Sequence, residues 1–406
     1  MATTYTYKVR DKTGKLVEGQ LEADDEQLVV GKLRSMGYTP ISIDKHEINK
    51  LQTEIKIPGL SDRVKQKDVA VMSRQFAVMI NSGLPLLRSL SILAEQTENK
   101  TLAGILNSVR MDVERGSSLS TALSKHPKAF NRLYVAMVKS GEAGGVLDSV
   151  LIRLADTLEK QVELKRKIRS AMSYPVVVGF LVFVMVTAML LFIVPQFKDL
   201  YKSLGGELPS FTQALISLSD FVSDYWYIWF GGLFVGIWAF RKWIKTESGR
   251  KSWDRKKLKL PIVGKLTRKT ALARFSRTLA ALTRSGVPIL ESLDIVADTA
   301  GNEVVSEAVR DTQQAVKTGE GLAKPLSEHA VFPAMVTQMI NVGEETGALD
   351  EMLDKIADFY DQEVEATVDA LTSLIEPLLI VVMGVTVGLM VIALYMPMFN
   401  IIKLIK

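Results

Sequence analysis

The sequence predicts a mainly α-helical protein with two duplicated cytoplasmic helical-bundle domains, three transmembrane helices and a small N-terminal α/β module. Two observations lead to this fold class. Motifs in the first half of the chain recur about 200 residues later in the same order, as expected for a duplicated folding unit. In addition, three stretches are apolar enough, and long enough with their flanking residues, for a helix that crosses about 30 Å of hydrocarbon.

Two kinds of turn recur in both copies. An S-G-x-P turn occurs at 82–85 and at 285–288, and a G-E-x-x-G turn occurs at 141–145 and at 343–347. In the S-G-x-P turns, glycine lies just past the end of one helix and proline lies in the first turn of the next helix. This order predicts two helices joined by a short turn at each S-G-x-P site. We expect about six short helices per copy, with the last helix continuing directly into an apolar span.

The N-terminal residues predict a small separate module. Residues 4–10 and 15–22 alternate as two strands around a turn, and Asp24 with Gln27 resembles a capping box of a helix that Gly37 closes. The predicted segments are the α/β module (1–45), a linker (46–67), the first helical repeat (68–173), the first span (174–196), an extracytoplasmic loop (197–220), the second span (221–243), a basic linker (244–270), the second helical repeat (271–375) and the third span (376–402).

The distribution of Lys and Arg predicts the orientation of the chain. Basic residues cluster before the first span and after the second, which places both repeats in the cytoplasm and the intervening loop outside. The N-terminus lacks the basic-then-apolar order of a secretory signal, so we expect it to begin in the cytoplasm. Attraction to anionic headgroups explains these basic residues more simply than nucleic-acid binding does. The candidate membrane-surface cluster is Lys165, Arg166, Lys167, Arg241, Lys242, Arg255, Lys256 and Lys257.

Composition and motifs argue against catalysis. The chain has no cysteine, which excludes disulfides and thiolate chemistry. It contains no phosphate-binding loop or dinucleotide-binding fingerprint, and its three histidines are widely separated. The spans also lack the ionisable groups typical of a transporter. We therefore expect no catalytic residue, cofactor or metal, although a spatially assembled triad stays open at this stage.

Glu142 and Glu344 admit two interpretations. One carboxylate per repeat, without a partner, is not an acid–base pair. The favoured interpretation is structural: glycine permits a sharp helix–helix turn, and the glutamate caps or charges the next helix N-terminus. The other is a docking surface, to which Asp148, Glu345 and Asp350 would add an acidic edge.

Gly384 and Gly388 form a G-x-x-x-G pair in the third span. Small residues at this spacing let two helices approach closely in a membrane. The pair is therefore a candidate for span packing within an oligomer.

Because both repeats carry an S-G-x-P turn and a G-E-x-x-G turn, the sequence resembles the PilC/GspF family. The members of this family are inner-membrane platform proteins of type IV pili and type II secretion systems. Tyr174-Pro175 at the entry to the first span, the closing segment 395–399 and the N-terminal module are also similar to that family. The resemblance covers essentially the whole chain. It implies a non-enzymatic adaptor that couples a cytoplasmic hexameric assembly or retraction ATPase to the insertion and removal of pilin or pseudopilin.

The same resemblance implies several partners. They are the ATPase, pilin or pseudopilin, other inner-membrane assembly proteins, membrane lipids and further copies of the chain, but no nucleic acid. Duplicated exposed turns would present equivalent surfaces to a symmetric motor. The candidate ATPase-docking positions are Gly83, Pro85, Gly141, Glu142, Gly145, Gly286, Pro288, Gly343, Glu344 and Gly347. The alternative function is a membrane scaffold or signalling receptor that is not coupled to an ATPase.

Overall fold

The computed structural model describes residues 3–10, 16–23, 25–45, 63–203, 210–261 and 263–404. The chain forms two compact units, Met1–Arg63 and Val64–Lys406. The predicted capping residue Asp24 and residues 46–62 of the predicted linker lie outside the described residues.

The first unit is a three-stranded antiparallel sheet with one helix. Its elements are β1 (Thr3–Arg10), β2 (Leu16–Ala23), α1 (Glu26–Ser35) and β3 (Thr39–Lys45), and the strand order is β2-β1-β3. Tyr5 and Val9 of β1 pack against Val29 and Leu33 of α1. Gly37, at φ 83°, ends the helix as predicted, because glycine adopts this left-handed conformation without steric cost.

The second unit contains both helical repeats around one hydrophobic core. The first repeat consists of α2 (Gln66–Asn81), α3 (Leu86–Gln96), α4 (Lys100–Glu114), α5 (Leu119–Ser124), α6 (Arg132–Gly144) and α7 (Leu147–Ala188). A π-helical turn (Met189–Ile193), α8 (Val194–Ser203), α9 (Ser210–Asp224), α10 (Trp226–Ile244) and α11 (Glu247–Lys259) follow. The second repeat consists of α12 (Val263–Arg284), α13 (Ile289–Thr299), α14 (Glu303–Lys317), α15 (Ala323–Ser327), α16 (Ala334–Thr346) and α17 (Leu349–Leu404).

Local sequence explains where these helices begin and end. Asn99, Ser118 and Asn131 cap α4, α5 and α6 by accepting hydrogen bonds from backbone N–H groups of the first turn. At the other end, Gly83 follows α2 at φ 81°. The N–H of Gly83 bonds to the carbonyl of Ile80, which satisfies one of the otherwise unpaired carbonyls of the last turn.

Two helices are long and apolar enough to cross a membrane: Leu147–Gln196 and Leu349–Ile392. Only 6% of the most apolar window of each is buried, whereas the core helix of a soluble protein would be mostly buried. Each of these helices starts inside a packed repeat and continues without a break, and Pro175 lies within α7. A proline removes one backbone donor, and here it does not end the helix.

The predicted second span forms a 19-residue helix, α10. It is not among the two helices in the described residues that are long and apolar enough to cross a membrane. The arrangement with three spans therefore stays a prediction.

The stretch 197–220, which the sequence predicts as a loop, carries the end of α8 and most of α9. Ile216 of α9 is buried against Leu190 and Met390, and Ser219 donates a hydrogen bond to the carbonyl of Leu190 in the π-helical turn. The amphipathic face of α9 is stabilised by this packing against two long helices.

The stretch 244–270, predicted as a basic linker, is also helical. It forms α11 and the first turns of α12. The buried Asp254 accepts a hydrogen bond from the N–H of Glu303 at 3.0 Å, and Lys251 pairs with Glu307. These contacts hold α11 against α14, so the segment belongs to the second repeat.

Replacing Gly343 by alanine should destabilise the protein by about 1–3 kcal/mol, because the added Cβ would lie 2.9 Å from the Cα of Leu349. Gly104→Ala is the matched control. A Cβ there meets nothing within 4 Å, and alanine should stabilise α4 by up to about 1 kcal/mol. Thermal unfolding of the detergent-solubilised chain, followed by circular dichroism, measures both; equal midpoints for the two variants would contradict the prediction.

Candidate functional site: the duplicated turns and the interface between the repeats

Each G-E-x-x-G turn joins two helices that approach very closely. A Cβ at Gly141 would lie 3.1 Å from the Cβ of Val150, and the crowding at Gly343 is greater still. The last glycine of each turn, Gly145 or Gly347, adopts the left-handed conformation at φ 67° or 71°. Both glycines are therefore required by geometry, one for contact between helices and one for the reversal of the chain.

The glutamate of each turn caps a short helix earlier in the same repeat. The carboxylate of Glu142 accepts hydrogen bonds from the N–H groups of Leu119 at 2.5 Å and Ser120 at 2.9 Å. In the second repeat, Glu344 accepts the equivalent bonds from Leu322 and Ala323, at 2.5 and 3.0 Å. A carboxylate at a helix N-terminus satisfies unpaired donors and complements the helix dipole. The favoured structural interpretation gains support, but the capped helix is α5 or α15 and not the next helix.

The structure separates exposed from covered candidate positions. Gly141 and Gly343 are buried, the two glutamates are half-buried, and the remaining candidate turn positions are exposed; these are Gly83, Pro85, Gly145, Gly286, Pro288 and Gly347. Of the predicted acidic edge, Asp148 and Glu345 are exposed, whereas Asp350 lies 3.0 Å from Arg284 in an ion pair. The accessible part of the predicted acidic edge therefore consists of Asp148 and Glu345.

The two S-G-x-P turns have different surroundings. Ser140 of α6 donates a hydrogen bond to the carbonyl of Ser285 at 2.5 Å, and Arg153 of α7 donates to the carbonyl of Arg284 at 2.7 Å. The first repeat thus covers Ser285, which is buried, although Gly286 and Pro288 of the same turn are exposed. The equivalent Ser82 is exposed.

A duplicated ion-pair cluster ties the first helix of each repeat to the last. Arg74 pairs with Asp156 and Glu159 of α7, and Arg277 pairs with Asp358 and Asp361 of α17. Sequence analysis missed this cluster, although all its members occupy equivalent repeat positions. Their recurrence, with the right charges, is the signal that would have found it.

The two repeats also contact each other through charged side chains. Arg132 of α6 bonds to Asp294 and Asp298 of α13, at 2.6 and 2.5 Å, and these hydrogen bonds raise the pKa of Arg132 above its ordinary value. Lys160 and Lys167 of α7 pair with Asp358 and Glu365 of α17 at 2.9 and 3.0 Å. From Lys160 to Lys167 on α7, and from Asp358 to Glu365 on α17, the chain advances by the same number of residues in the same direction. Helices α7 and α17 therefore run parallel.

A cleft of about 380 Å³ lies between the repeats, lined by α7, α12 and α17. Its walls carry both signs of charge, with Arg153, Lys160 and Arg277 near Glu163 and Asp354. Such a balanced lining does not select an anion or a cation.

The basic cluster divides into paired and exposed members. Lys167 bonds to Glu365, Arg255 lies 3.9 Å from Glu307, and Lys165 donates to Gln66 at 3.2 Å. Arg166, Arg241, Lys242 and Lys256 are exposed and Lys257 is half-buried. Part of the cluster thus stabilises the fold, and the exposed members stay candidates for headgroup contact.

The third apolar segment presents its small-residue pair to the outside. A Cβ placed on Gly384 or Gly388 would meet no atom of another described helix within 4 Å. The G-x-x-x-G face therefore has no partner helix in the described part of this chain.

The described residues hold no group of three or more His, Asp or Glu side chains able to bind a metal. His329 lies 3.5 Å from Asp311, and the Nε2 atom of His126 is buried without a hydrogen-bond partner; His46 lies outside the described residues. The groups that converge in this unit are thus caps and ion pairs between helices.

A duplicated helical bundle whose closing helices extend as long, exposed apolar segments is the architecture of a membrane-associated repeat protein. The model of the family "Type II secretion system (T2SS), protein F" matches residues 72–195 and again 275–397, and its N-terminal domain matches residues 1–44. The chain therefore belongs to the PilC/GspF family.

Similar relatives come from both branches of this family. The chain is 47% identical over 399 residues to the type IV pilus assembly protein PilC of Thermus thermophilus, with 98% of each chain covered. It is 43% identical to the PilC of Myxococcus xanthus, covering 98% of this chain and 94% of that one. Identity to the type II secretion system protein F of Vibrio cholerae is 33%, with 98% of each covered.

Glu344→Ala should destabilise the protein by about 1–3 kcal/mol, because it leaves two partly buried N–H groups at the start of α15 without their acceptor. Glu345→Ala, one residue further, removes only an exposed contact with Asn341 and should change stability by less than about 0.5 kcal/mol. Chemical denaturation of both variants tests the difference; equal stabilities would show that the cap contributes nothing.

Proposed function

We propose that this protein is a non-enzymatic inner-membrane platform protein of a type IV pilus machine or a type II secretion machine. In this role it couples a cytoplasmic assembly or retraction ATPase to the insertion and removal of pilin or pseudopilin. Its high identity to PilC proteins over nearly the whole length favours the pilus machine.

The observation that carries this proposal is the continuity of α7 and α17. Each helix begins at a crowded turn inside a packed repeat and continues into its apolar segment without a break. In this proposal a displacement of the repeat moves the apolar segment, because each helix continues past its proline, Pro175 or Pro377. An adaptor between a cytoplasmic motor and a filament in the membrane needs this mechanical continuity.

The proposed placement puts both repeats in the cytoplasm and α9 on the outer side, with three crossings through α7, α10 and α17. The exposed basic residues Arg241, Lys242 and Lys256 then lie at the cytoplasmic surface, where anionic headgroups attract them. A scaffold or receptor without motor coupling would have the same placement, so only a functional assay separates the two.

Because the natural chain has no cysteine, single cysteines can report this topology. Ser217→Cys in α9 should react with a membrane-impermeant maleimide on intact cells, and Lys256→Cys in α11 should react only after lysis. Both side chains are exposed, so accessibility within the fold does not limit labelling. Labelling of both sites from the same side would contradict a crossing through α10.

The coupling itself is tested by ATP turnover of the cognate assembly ATPase, with and without the chain in nanodiscs. Binding with altered turnover is the expected result. Charge reversal at Asp148 or Glu345 should weaken this binding roughly tenfold if the exposed acidic residues beside the turns contact the motor. Normal binding by both variants would remove these turns as the docking site.

These variants have one advantage over charge reversal at Glu142 or Glu344. They leave the carboxylate caps intact, so a loss of binding is not a loss of folding. Glu247→Lys on α11 is the matched control, since Glu247 is also exposed and lies far from the turns in sequence. A folded wild-type chain that neither binds nor alters the ATPase would favour the scaffold or receptor alternative.

A further inference from the structure

Helix α9 packs against both long apolar helices, far along their apolar segments. Its buried Ile216 forms one apolar cluster with Leu190 of the π-helical turn and Met390 of α17. At about 1.5 Å per residue, Leu190 lies about 22 Å along its helix from Pro175, and Met390 lies about 20 Å along α17 from Pro377. Because the hydrocarbon core is about 30 Å thick, the proposed placement puts this cluster about 8–10 Å below the outer boundary.

A hydrogen bond at this level replaces one that the backbone cannot make. In the π-helical turn, the N–H of Val194 bonds to the carbonyl of Met189. The same spacing would assign the carbonyl of Leu190 to Pro195, which has no N–H. The buried hydroxyl of Ser219 on α9 donates to that carbonyl instead. Since no water is present in hydrocarbon to satisfy a free carbonyl, this bond is the one that a helix docked at membrane depth has to supply.

Two further stripes run along α9, one polar and one apolar. Residues three or four positions apart share one face of a helix. The polar stripe consists of Gln213, Ser217, Asp220 and Asp224. The apolar stripe lies one position further along the chain and consists of Ala214, Leu218, Phe221 and Tyr225. The helix therefore has three faces: one buried against protein, one polar, and one that is apolar and exposed.

The apolar stripe exposes large side chains. Leu218 keeps 49% of its surface accessible, Phe221 48% and Tyr225 44%. The rings of Phe221 and Tyr225 lie 5.4 Å apart and form one aromatic patch. Tyrosine is enriched at the boundary between hydrocarbon and water, where its ring and its hydroxyl both find a suitable environment. A charge-free aromatic stripe on a helix that packs at this depth matches the chemistry of a lipid boundary.

We propose that α9 is an interfacial helix whose apolar stripe contacts lipids of the outer leaflet, while its polar stripe faces the water outside. Interfacial helices bury their apolar face about 5–10 Å into the boundary between headgroups and acyl chains, which agrees with the level of the cluster at Ile216. The occupant is lipid because the stripe is followed directly by the exposed Tyr227 and Ile228 of α10, the proposed second crossing.

This inference rests on the proposed placement of α7 and α17 across the membrane, and it does not depend on ATPase coupling. It changes the role of the stretch 197–220, which the sequence predicts as an extracytoplasmic loop. Most of α9 belongs to that stretch, and in this proposal α9 is part of the membrane-embedded surface.

Spin labels at two neighbouring positions test the stripes. Because the chain has no cysteine, Leu218→Cys and Ser217→Cys each place a single nitroxide on α9. In nanodiscs, we expect the label at position 218 to be relaxed several-fold more by molecular oxygen, which dissolves in lipid, than by a water-soluble nickel chelate. The label at position 217 should show the opposite preference. The positions are adjacent, so the difference reports the face of the helix and not its place in the chain.

Phe183→Cys is the control for the membrane placement. Phe183 is 62% exposed and lies within the first apolar segment, so its label should also prefer oxygen. With that preference at position 183, a nickel preference at position 218 would overturn the inference, because α9 would then lie in water. Protection of position 218 from both reagents would overturn it as well, because protein and not lipid would then cover the stripe.

A nickel preference at position 183 would contradict the crossing of α7, and therefore both the proposed placement and this inference. A failure of ATPase coupling changes none of these signals, because the nanodisc holds the chain without the motor. The two proposals therefore fail in distinguishable ways.

The thermal midpoint of the chain in nanodiscs provides a second readout. Leu218→Asp should lower the midpoint by several degrees, because a carboxylate in contact with lipid is costly. Ser217→Asp is the matched control and should leave the midpoint unchanged, since the polar stripe already carries carboxylates in water. Equal midpoints for the two variants would contradict lipid contact at Leu218.

Discussion

The close approach of two helices at each G-E-x-x-G turn is the constraint on which the rest of the helical unit depends. Without a side chain on Gly141 and Gly343, the closing helix of each repeat packs directly against the helix before it. The adjacent glutamate then ties a short helix to the same point by two backbone hydrogen bonds. The direction in which α7 and α17 leave the repeats follows from this turn.

Charge pairs complete the same design at a larger scale. In each repeat an arginine of the first helix forms ion pairs with two carboxylates of the last, which ties the closing helix to the first at this point. Further pairs join α7 to α17 across the two repeats. Pairs that remain exposed contribute little stability individually. Their repeated use along parallel helices is better explained by the need to set the register and orientation of the closing helices.

Duplication gives this protein two equivalent units, but contact between them makes the units different. The first repeat covers Ser285 in the S-G-V-P turn of the second, whereas the equivalent Ser82 stays exposed. The two equivalent turns therefore offer different surfaces to other molecules.

The sequence by itself determined the duplication, the helix-rich repeats, the left-handed glycines and the two long apolar helices, because these depend on local spacing and composition. It did not reveal that α9 and α11 are helices docked against α17 and α14, since each is stabilised by partners distant in sequence. Nor did it distinguish Glu142 as a cap of α5, or Ser285 as buried and Ser82 as exposed. Equivalent motifs have the same local conformation, and only the packing of one repeat against the other decides which copy is covered.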